Sequence, residues 1–187
     1  QEVNKQEMIE FQKKLKSIKL LIMDVDGVFT DGAFYMNGSG SEYKKFSAKD
    51  GLGIGLLKAI NLPMAIISGK HSDATTYRMN ELGINEDVYQ GKLKKIDSYN
   101  LIKDKYKVNN DEVVFIGDDL IDIPIMEKVG VPVTVPGATD FVKSKSIYVT
   151  ETAGGEGAVR EVIDLILQAQ NKYTEAMEKL LDYKTEE

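Results

Sequence analysis

Two acidic groups in this sequence lie where short apolar runs end. Asp24 and Asp26 directly follow one such run, and Asp118 follows another. Carboxylates crowded together are costly unless a cation neutralises them, and Mg²⁺ does so while keeping positions for water and phosphate oxygens. Because the chain has one histidine and no cysteine, any divalent metal would be held mainly by oxygen ligands. These residue types favour phosphoryl transfer at a Mg²⁺ ion.

The mechanism expected of such residues passes through a covalent aspartyl phosphate. Asp24 would attack phosphorus, and Asp26 would give a proton to the leaving alkoxide and then take one from the hydrolytic water. The metal ligands would be Asp24, Asp26 through its backbone carbonyl, and Asp118. Asp119 and Asp122 follow closely and would support the metal site from a second layer.

A third polar site, Ser68-Gly69-Lys70, also follows an apolar run. The hydroxyl of Ser68 and the N–H of Gly69 are suited to hold phosphoryl oxygens, and a lysine at the start of the next helix would neutralise the transferred charge. The sequence pattern alone leaves three candidates for that lysine, which are Lys92, Lys94 and Lys95.

The elements that must position these residues follow from the apolar pattern. Runs of strand length, apolar on both faces, alternate with helical patterns, which predicts an α/β fold with a doubly wound parallel sheet. In such sheets ligands bind beyond the carboxyl ends of the strands, where the three polar sites would meet. The predicted strands are 20–23, 63–67, 113–116 and 131–135, and the predicted helices between them are 51–60, 72–82, 95–106 and 123–129.

Three further segments complete the predicted architecture, a single domain over residues 1–187. Segments 33–36 and 41–46 flank a Gly-rich turn and predict a β-hairpin that projects as a flap above the first strand. An amphipathic helix is expected at 1–17 and one long helix at 157–183, with 184–187 frayed. The segments between strands have no room for a separate cap domain, so a neighbouring subunit is expected to cover the site.

Composition excludes several classes of function. At 187 residues, 42% hydrophobic and 29% charged, the chain is expected to be globular, and no apolar run reaches membrane-spanning length. A net charge of −6 gives no basic face for nucleic acid. The absence of cysteine fits a reducing compartment, and the N-terminal segment lacks the pattern of a secretory signal.

Each motif also has a purely structural interpretation. Asp118-Asp119 alone fits a helix N-cap, Ser68-Gly69 alone fits a turn, and Lys44-Lys45 fits a solvated hairpin edge. The ordered recurrence of polar groups at successive strand ends favours the functional interpretation.

The order of these motifs resembles the haloacid dehalogenase (HAD) superfamily of phosphatases. Within it, the chain is similar to the subfamily of 3-deoxy-D-manno-octulosonate 8-phosphate (KDO 8-phosphate) phosphatases over roughly residues 15–170. The segments that carry the resemblance are Asp24–Gly32, Phe46–Gly51, Ser68–Lys70, Tyr89–Gly91, Gly117–Asp122 and Gly154–Glu161.

The resemblance implies a role for each matching position. Asp24 matches the nucleophile, Asp26 the acid/base and Asp118 the metal-binding carboxylate. The phosphate-binding lysine falls at Lys95, with Lys94 as its nearest rival. The positions that match contacts to the sugar acid are Ser47, Lys49, Asp50, Gly51, Gly55, Lys70 and Arg78.

The family further implies a Mg²⁺-dependent cytoplasmic homotetramer that acts on a precursor of the lipopolysaccharide inner core. Lys49, Lys70 and Glu156 depart from the arginines common in relatives, and arginine and lysine differ in how they grip a carboxylate. A nonulosonate 9-phosphate is therefore the alternative substrate.

Two other classes of function remain as alternatives. A signalling receiver domain also uses aspartate, Mg²⁺ and lysine on a parallel sheet, but it would place its acidic pair after the first strand and a lone phosphoacceptor in mid-chain. The acid/base position two residues after Asp24 argues against it. A catalytically inactive scaffold is disfavoured because every catalytic residue type is present.

Overall fold

A six-stranded parallel sheet forms the centre of the computed structural model, which describes residues 5–185 and the side chains up to residue 182. The order of strands is β5-β4-β1-β6-β7-β8, and every neighbouring pair is parallel. The strands are β1 (Leu20–Met23), β4 (Met64–Ile67), β5 (Val88–Tyr89), β6 (Val113–Ile116), β7 (Val131–Thr134) and β8 (Tyr148–Val149).

Helices cover both faces of this sheet. Phe11, Leu15 and Leu57 pack with Leu21 and Met23 on one face, which is covered chiefly by α1, α2 and α7. The opposite face is covered by α4, α5 and α6. The helices are α1 (Lys5–Leu15), α2 (Ala48–Ala59), α3 (Asp73–Glu81), α4 (Lys95–Tyr106), α5 (Ile123–Met126), α6 (Asp140–Ser144), α7 (Ala158–Ala169) and α8 (Tyr173–Thr185).

The two-sided cover explains why the strands are continuous apolar runs. All four residues of β1, and all four of β6, are buried, because each points alternately into one of two cores. The predicted doubly wound α/β fold is therefore confirmed. None of the helices in residues 5–185 has the length and apolar character needed to cross a membrane.

The position of β1 between β4 and β6 brings the predicted functional segments together. Met23 is in register with Ile66 on one side and with Ile116 on the other. The residues that follow these three strands therefore emerge at the same edge of the sheet.

The predicted hairpin is present but short. β2 (Tyr35–Met36) and β3 (Glu42–Tyr43) pair antiparallel as a separate two-stranded sheet. The side chain of Asn37 closes the turn by accepting hydrogen bonds from the backbone N–H groups of Ser39 and Ser41. In the described chain, this hairpin is the insertion between β1 and α2, and no cap domain stands there.

Predictions at the two ends need correction. The single helix expected over 157–183 is wrong, because α7 ends at Ala169 and α8 starts at Tyr173. Asn171 between them has φ 54°, a left-handed conformation that asparagine tolerates and a helix does not. The expected fraying from residue 184 is not seen at 184–185, which continue α8. The helix predicted over 1–17 spans Lys5–Leu15; residues 1–4 and 186–187 lie outside the described residues.

Candidate active site

Three carboxylates meet at the carboxyl edge of the sheet. Asp24 directly follows β1, and Asp118 and Asp122 follow β6. One oxygen from each lies within 4.8 Å of the others, close enough to hold one metal ion. Hard oxygen ligands at this spacing fit Mg²⁺. The predicted convergence of the first and second acidic groups is therefore seen.

Asp122 also holds the backbone of the loop that follows β6. Its Oδ2 accepts hydrogen bonds from the backbone N–H of Asp118 at 2.9 Å and of Asp119 at 3.2 Å. The 3₁₀ turn Leu120–Asp122 folds the carboxylate back toward β6 in this way. Asp119 instead turns outward, and its side chain accepts from the N–H of Leu120. The two supporting aspartates predicted both hold the loop, through a capping box, but only Asp122 lies among the three carboxylates.

Lys95 completes the floor of the site. Its Nζ lies 3.0 Å from Asp24 Oδ1 and 2.7 Å from Asp122 Oδ1, and its side chain has no exposed surface. Lys94, by contrast, is 79% exposed and pairs with Asp97. Among the lysines considered, the start of α4 therefore directs Lys95 into the site. We call Asp24, Lys95, Asp118 and Asp122 the floor cluster.

Burial and neighbouring charges shift the pKa values of Asp24, Asp118 and Lys95. Burial, followed by repulsion from Asp122, raises the pKa of Asp24 well above its usual range, while Lys95 opposes this shift. Burial and Asp122 likewise raise the pKa of Asp118 to about 7. Burial alone would lower the pKa of Lys95, but Asp24 and Asp122 outweigh it and raise that pKa. A divalent cation among these carboxylates would offset their repulsion.

The loop after β4 lies against the same floor. Ser68 is fully buried, and its hydroxyl donates to the backbone carbonyl of Lys70 at 3.1 Å. A Cβ on Gly69 would lie 2.7 Å from Ile121 Cδ1 and 4.0 Å from Lys95 Cε, so only glycine fits here without displacing neighbours. Gly69 thus adjoins Lys95 of the floor cluster, and phosphate binding by Ser68 and Gly69 stays a prediction.

Thr30 is a site residue that sequence reasoning missed. Its buried Oγ1 accepts hydrogen bonds from the backbone N–H groups of Gly27 and Gly32, which closes the loop after Asp24. The closed loop needs glycine, since a Cβ on Gly27 would lie 1.8 Å from Asp118 Oδ2. A threonine six residues after Asp24 was the available signal.

The hairpin reaches the site through Asp26. Lys44, just after β3, places its Nζ 2.6 Å from Asp26 Oδ1, and its side chain has no exposed surface. The interpretation of Lys44 as a solvated hairpin edge is therefore wrong. The interpretation as a solvated edge fits Lys45 better, because its side chain is 48% exposed while it pairs with Glu156.

Several residues matched to sugar-acid contacts lie near the hairpin. Lys70 pairs with Glu42 of β3 and lies 4.0 Å from the ring centroid of Phe34. Arg78 pairs with Glu81 at 2.6 Å. A Cβ on Gly51 would lie 2.7 Å from the Arg78 guanidinium, so Gly51 and Arg78 adjoin.

The remaining matched positions are divided between the start of α2 and its packing surface. The Ser47 side chain caps α2 by accepting from the N–H of Lys49, which is exposed. Asp50 is 1% exposed, and its Oδ1 accepts from the N–H of Arg160 at the start of α7. Burial raises the pKa of Asp50 to about 6 despite this bond. Gly55 faces α8, where a Cβ would lie 3.2 Å from Leu180. The described chain therefore does not bring Asp50 or Gly55 to the floor cluster.

A cavity of about 270 Å³ opens beside Asp118. Its walls include Asp31 and Glu156, so this side of the site is acidic. Gly154 packs on the loop after Asp24, because a Cβ there would lie 1.9 Å from the carbonyl oxygen of Gly27. The segment before α7 thus supports the metal-binding side of the site.

A buried aspartate at the end of a central strand, a second acidic loop and a buried lysine are the groups of a metal-assisted phosphoryl-transfer site on an α/β fold. The sequence profile of haloacid dehalogenase-like hydrolases matches residues 63–163. The 3-deoxy-D-manno-octulosonate 8-phosphate phosphatase of Salmonella typhi is 44% identical over 163 residues, which cover 87% of this chain and 86% of that protein.

Solved structures agree with this relationship. The Yersinia pestis 3-deoxy-D-manno-octulosonate 8-phosphate phosphatase is 42% identical and superposes with a TM-score of 0.85 over 88% of this chain and 89% of its own. The Moraxella catarrhalis enzyme, solved with magnesium, phosphate and KDO, is 38% identical with a TM-score of 0.87, over 91% of this chain and 98% of its own.

The chain belongs to the haloacid dehalogenase-like hydrolase family. The predicted family and enzyme class, a phosphoric monoester hydrolase, are confirmed, and the three carboxylates fit the predicted Mg²⁺ cofactor.

Proposed function

We propose that this protein hydrolyses KDO 8-phosphate to KDO and phosphate through an aspartyl-phosphate intermediate. The observation that carries the proposal is the floor cluster, in which the buried carboxylate of Asp24 lies 3.0 Å from Lys95 Nζ and close enough to Asp118 to share a metal ion. The named relatives supply the substrate, since each is a phosphatase of this sugar acid.

In the proposed reaction Asp24 attacks phosphorus and forms the acyl phosphate. Lys95 and the Ser68-Gly69 turn hold the phosphoryl oxygens and neutralise their charge. Asp26 protonates the leaving oxygen and then activates the water that releases phosphate from Asp24. Mg²⁺, held by the carboxylates of Asp24 and Asp118 and the Asp26 carbonyl, would supply the positive charge that lets carboxylates and phosphate approach.

Substrate recognition is assigned to the residues between the hairpin and α3. Lys70 and Arg78 offer two cations to a sugar acid, which carries a carboxylate and a phosphate. Lys70 and Glu156 stand at positions where arginine is common in relatives, so the groups proposed to face the sugar differ from theirs. A nine-carbon nonulosonate 9-phosphate therefore remains the alternative substrate.

The test is phosphate release from a panel of eight- and nine-carbon sugar-acid phosphates, with Mg²⁺ and with the metal chelated. We expect KDO 8-phosphate to give the highest kcat/KM and chelation to abolish turnover. A higher kcat/KM for the nine-carbon substrates would transfer the assignment to them. No release from any substrate, nor from an aryl phosphate, would exclude a phosphatase.

The proposal includes a cytoplasmic homotetramer that serves lipopolysaccharide synthesis. The hairpin leaves Tyr35, Met36 and Tyr43 exposed by 52%, 63% and 62%. An apolar surface of this kind beside an active site without a cap domain suits contact with further copies of the chain.

A further inference from the structure

Lys44 directly follows the hairpin strand β3 and has no role in the mechanism proposed above. Its buried ammonium needs charged partners, because an isolated buried charge is strongly unfavourable. Its Nζ lies 2.6 Å from Asp26 Oδ1 and 3.3 Å from Glu42 Oε1. The ring centroid of Phe34 is 5.4 Å away. The ammonium is thus enclosed by two carboxylates and an aromatic ring.

Asp26 has little else to hold its carboxylate. Within residues 5–185, Lys44 is the hydrogen-bond donor that the structure gives it, and the Asp26 side chain is 21% exposed. A general acid must stay within hydrogen-bond reach of the leaving oxygen. The bond from Lys44 engages Oδ1 and leaves Oδ2 for proton transfer.

Glu42 fixes Lys44 in turn. Its second carboxylate oxygen accepts from Lys70, which directly follows the Ser68-Gly69 turn. Burial would raise the pKa of Glu42, but Lys70 and Lys44 outweigh it and lower that pKa. On the other side of the hairpin, Lys45 pairs with Glu156 before α7. The hairpin is therefore tied to two loops of the sheet edge, which sets where Lys44 lies.

We propose that Lys44 is a positioning residue for Asp26. The hairpin inserts the Lys44 ammonium beside the acid/base carboxylate and holds Oδ2 toward the leaving-group oxygen. This inference rests on the proposed phosphatase function and deepens it, since it makes the hairpin part of the catalytic apparatus.

The test uses aryl phosphates whose leaving groups range from dinitrophenol to phenol, with kcat/KM as the readout because it reports formation of the phosphoenzyme. General acid catalysis is worth about 10²–10⁴-fold, and a poor leaving group depends on it most. In Lys44→Met we therefore expect a loss under about threefold with dinitrophenyl phosphate and about 30-fold or more with phenyl phosphate. Lys44→Arg should restore most of the loss, and Lys19→Met, which changes an exposed lysine at the opposite end of β1, should follow the wild type.

A double-mutant cycle separates positioning from other roles. If Lys44 acts through Asp26, Lys44→Met should cause no further loss in an Asp26→Asn background. Equal losses for all leaving groups, or an additive loss in that background, would overturn the inference.

Two further measurements keep the test decisive. If Lys44→Met does not fold, Glu42→Gln keeps the ammonium but weakens its anchor, and the same dependence on the leaving group is expected; its absence would count against the inference. A wild-type protein that releases phosphate from neither the sugar-acid phosphates nor the aryl phosphates would sink the proposed function itself, whereas an active wild type with an unaffected Lys44→Met would sink only the role of Lys44.

Discussion

The floor cluster and the hairpin are two parts of one site that are stabilised in opposite ways. Asp24, Lys95 and Asp122 have side chains that are 6%, 0% and 0% exposed, and they stand on strand ends and a helix start. The hairpin has strands of only two residues, which are marginal by themselves, and exposes Tyr35 and Met36.

This difference shows which part of the site keeps its geometry without charged contacts to other loops. The register of the parallel strands fixes the floor cluster within the single chain. The hairpin depends on charged contacts to the sheet edge, from Glu42 to Lys70 and from Lys45 to Glu156. Substitutions in the floor should remove the chemistry, and substitutions around the hairpin should alter acid catalysis through Lys44, recognition or assembly.

The largest effect is expected for Asp24→Asn. Turnover should be abolished, because an amide cannot form the acyl phosphate. Phosphate release with saturating Mg²⁺ measures it, and Asp119→Asn, which changes an outward-facing carboxylate, is the control. Near-normal activity of Asp24→Asn would contradict the mechanism.

Lys95→Met should lower kcat by about 10²–10³-fold, the usual worth of one group that stabilises developing charge. Lys94→Met is the matched control, since Lys94 is adjacent but exposed and should leave kcat almost unchanged. Steady-state kinetics of both variants measure these changes in kcat. A comparable loss in Lys94→Met would reassign the phosphate-binding lysine.

Arg78→Ala tests recognition beside the hairpin. KM for the sugar-acid phosphate should rise by about tenfold or more, the worth of one charged hydrogen bond. An aryl phosphate, which has no carboxylate, should be little affected.

Glu81→Gln is the control for Arg78, because it removes only the partner of the ion pair seen in the structure. Equal losses on both substrates in Arg78→Ala would show that the guanidinium supports the fold or the floor cluster instead.

Met36→Glu tests whether the hairpin is completed by other copies of the chain. The wild type should be a tetramer by light scattering, and a charge on this exposed apolar position should lower the mass. The matched control is Ile9→Glu on α1, which is similarly exposed but lies on another element. A wild type that is monomeric and fully active at micromolar concentration would exclude the assembly.

The smallest effect, on stability alone, is expected for Asp50→Asn. The pKa of Asp50 in the folded protein, about 6, lies above its usual value. The folded state therefore keeps its full stability below about pH 4, where the carboxyl is neutral before and after unfolding, and loses stability as the pH rises through 6. Asparagine mimics the neutral acid. The variant should be more stable by up to about 3 kcal/mol near pH 8, and the gain should shrink toward about pH 5.

Urea unfolding at both pH values measures the Asp50 effect. A variant that is less stable near pH 8 would show that the bonds from Asp50 to the start of α7 outweigh the cost of burying its charge.

Much of the fold could be predicted from local pattern. The bounds of β1, β6 and α4 agree with the sequence prediction, because each is a strong periodic or continuous apolar segment. The strands β5 and β8 were not predicted, since two residues carry too little apolar pattern, and the helix α6 was not predicted, since five residues show hardly more than one helical turn. The break at Asn171 was missed because the apolar spacing of α7 runs almost to it.

For the site, strand-end positions were predictable and side-chain partners were not. Asp24, Ser68 and Asp118 were found because parallel strands end at one edge. The partner of Asp50 is 110 residues away at Arg160, a separation that no local pattern reports. Lys44 looked like a surface residue because nothing in its neighbours indicates which face of the hairpin turns inward.

The sequence by itself determined the sheet, the order of its polar strand ends and the chemistry that carboxylates, a hydroxyl and lysines offer there. Those features follow from residue types and short-range periodicity, which the chain carries locally. Only the tertiary structure decided that Lys95 and not Lys94 enters the floor, that Asp122 supports it, and that the hairpin lays Lys44 on Asp26. These choices depend on distances between segments far apart in the chain, and such distances are set by packing.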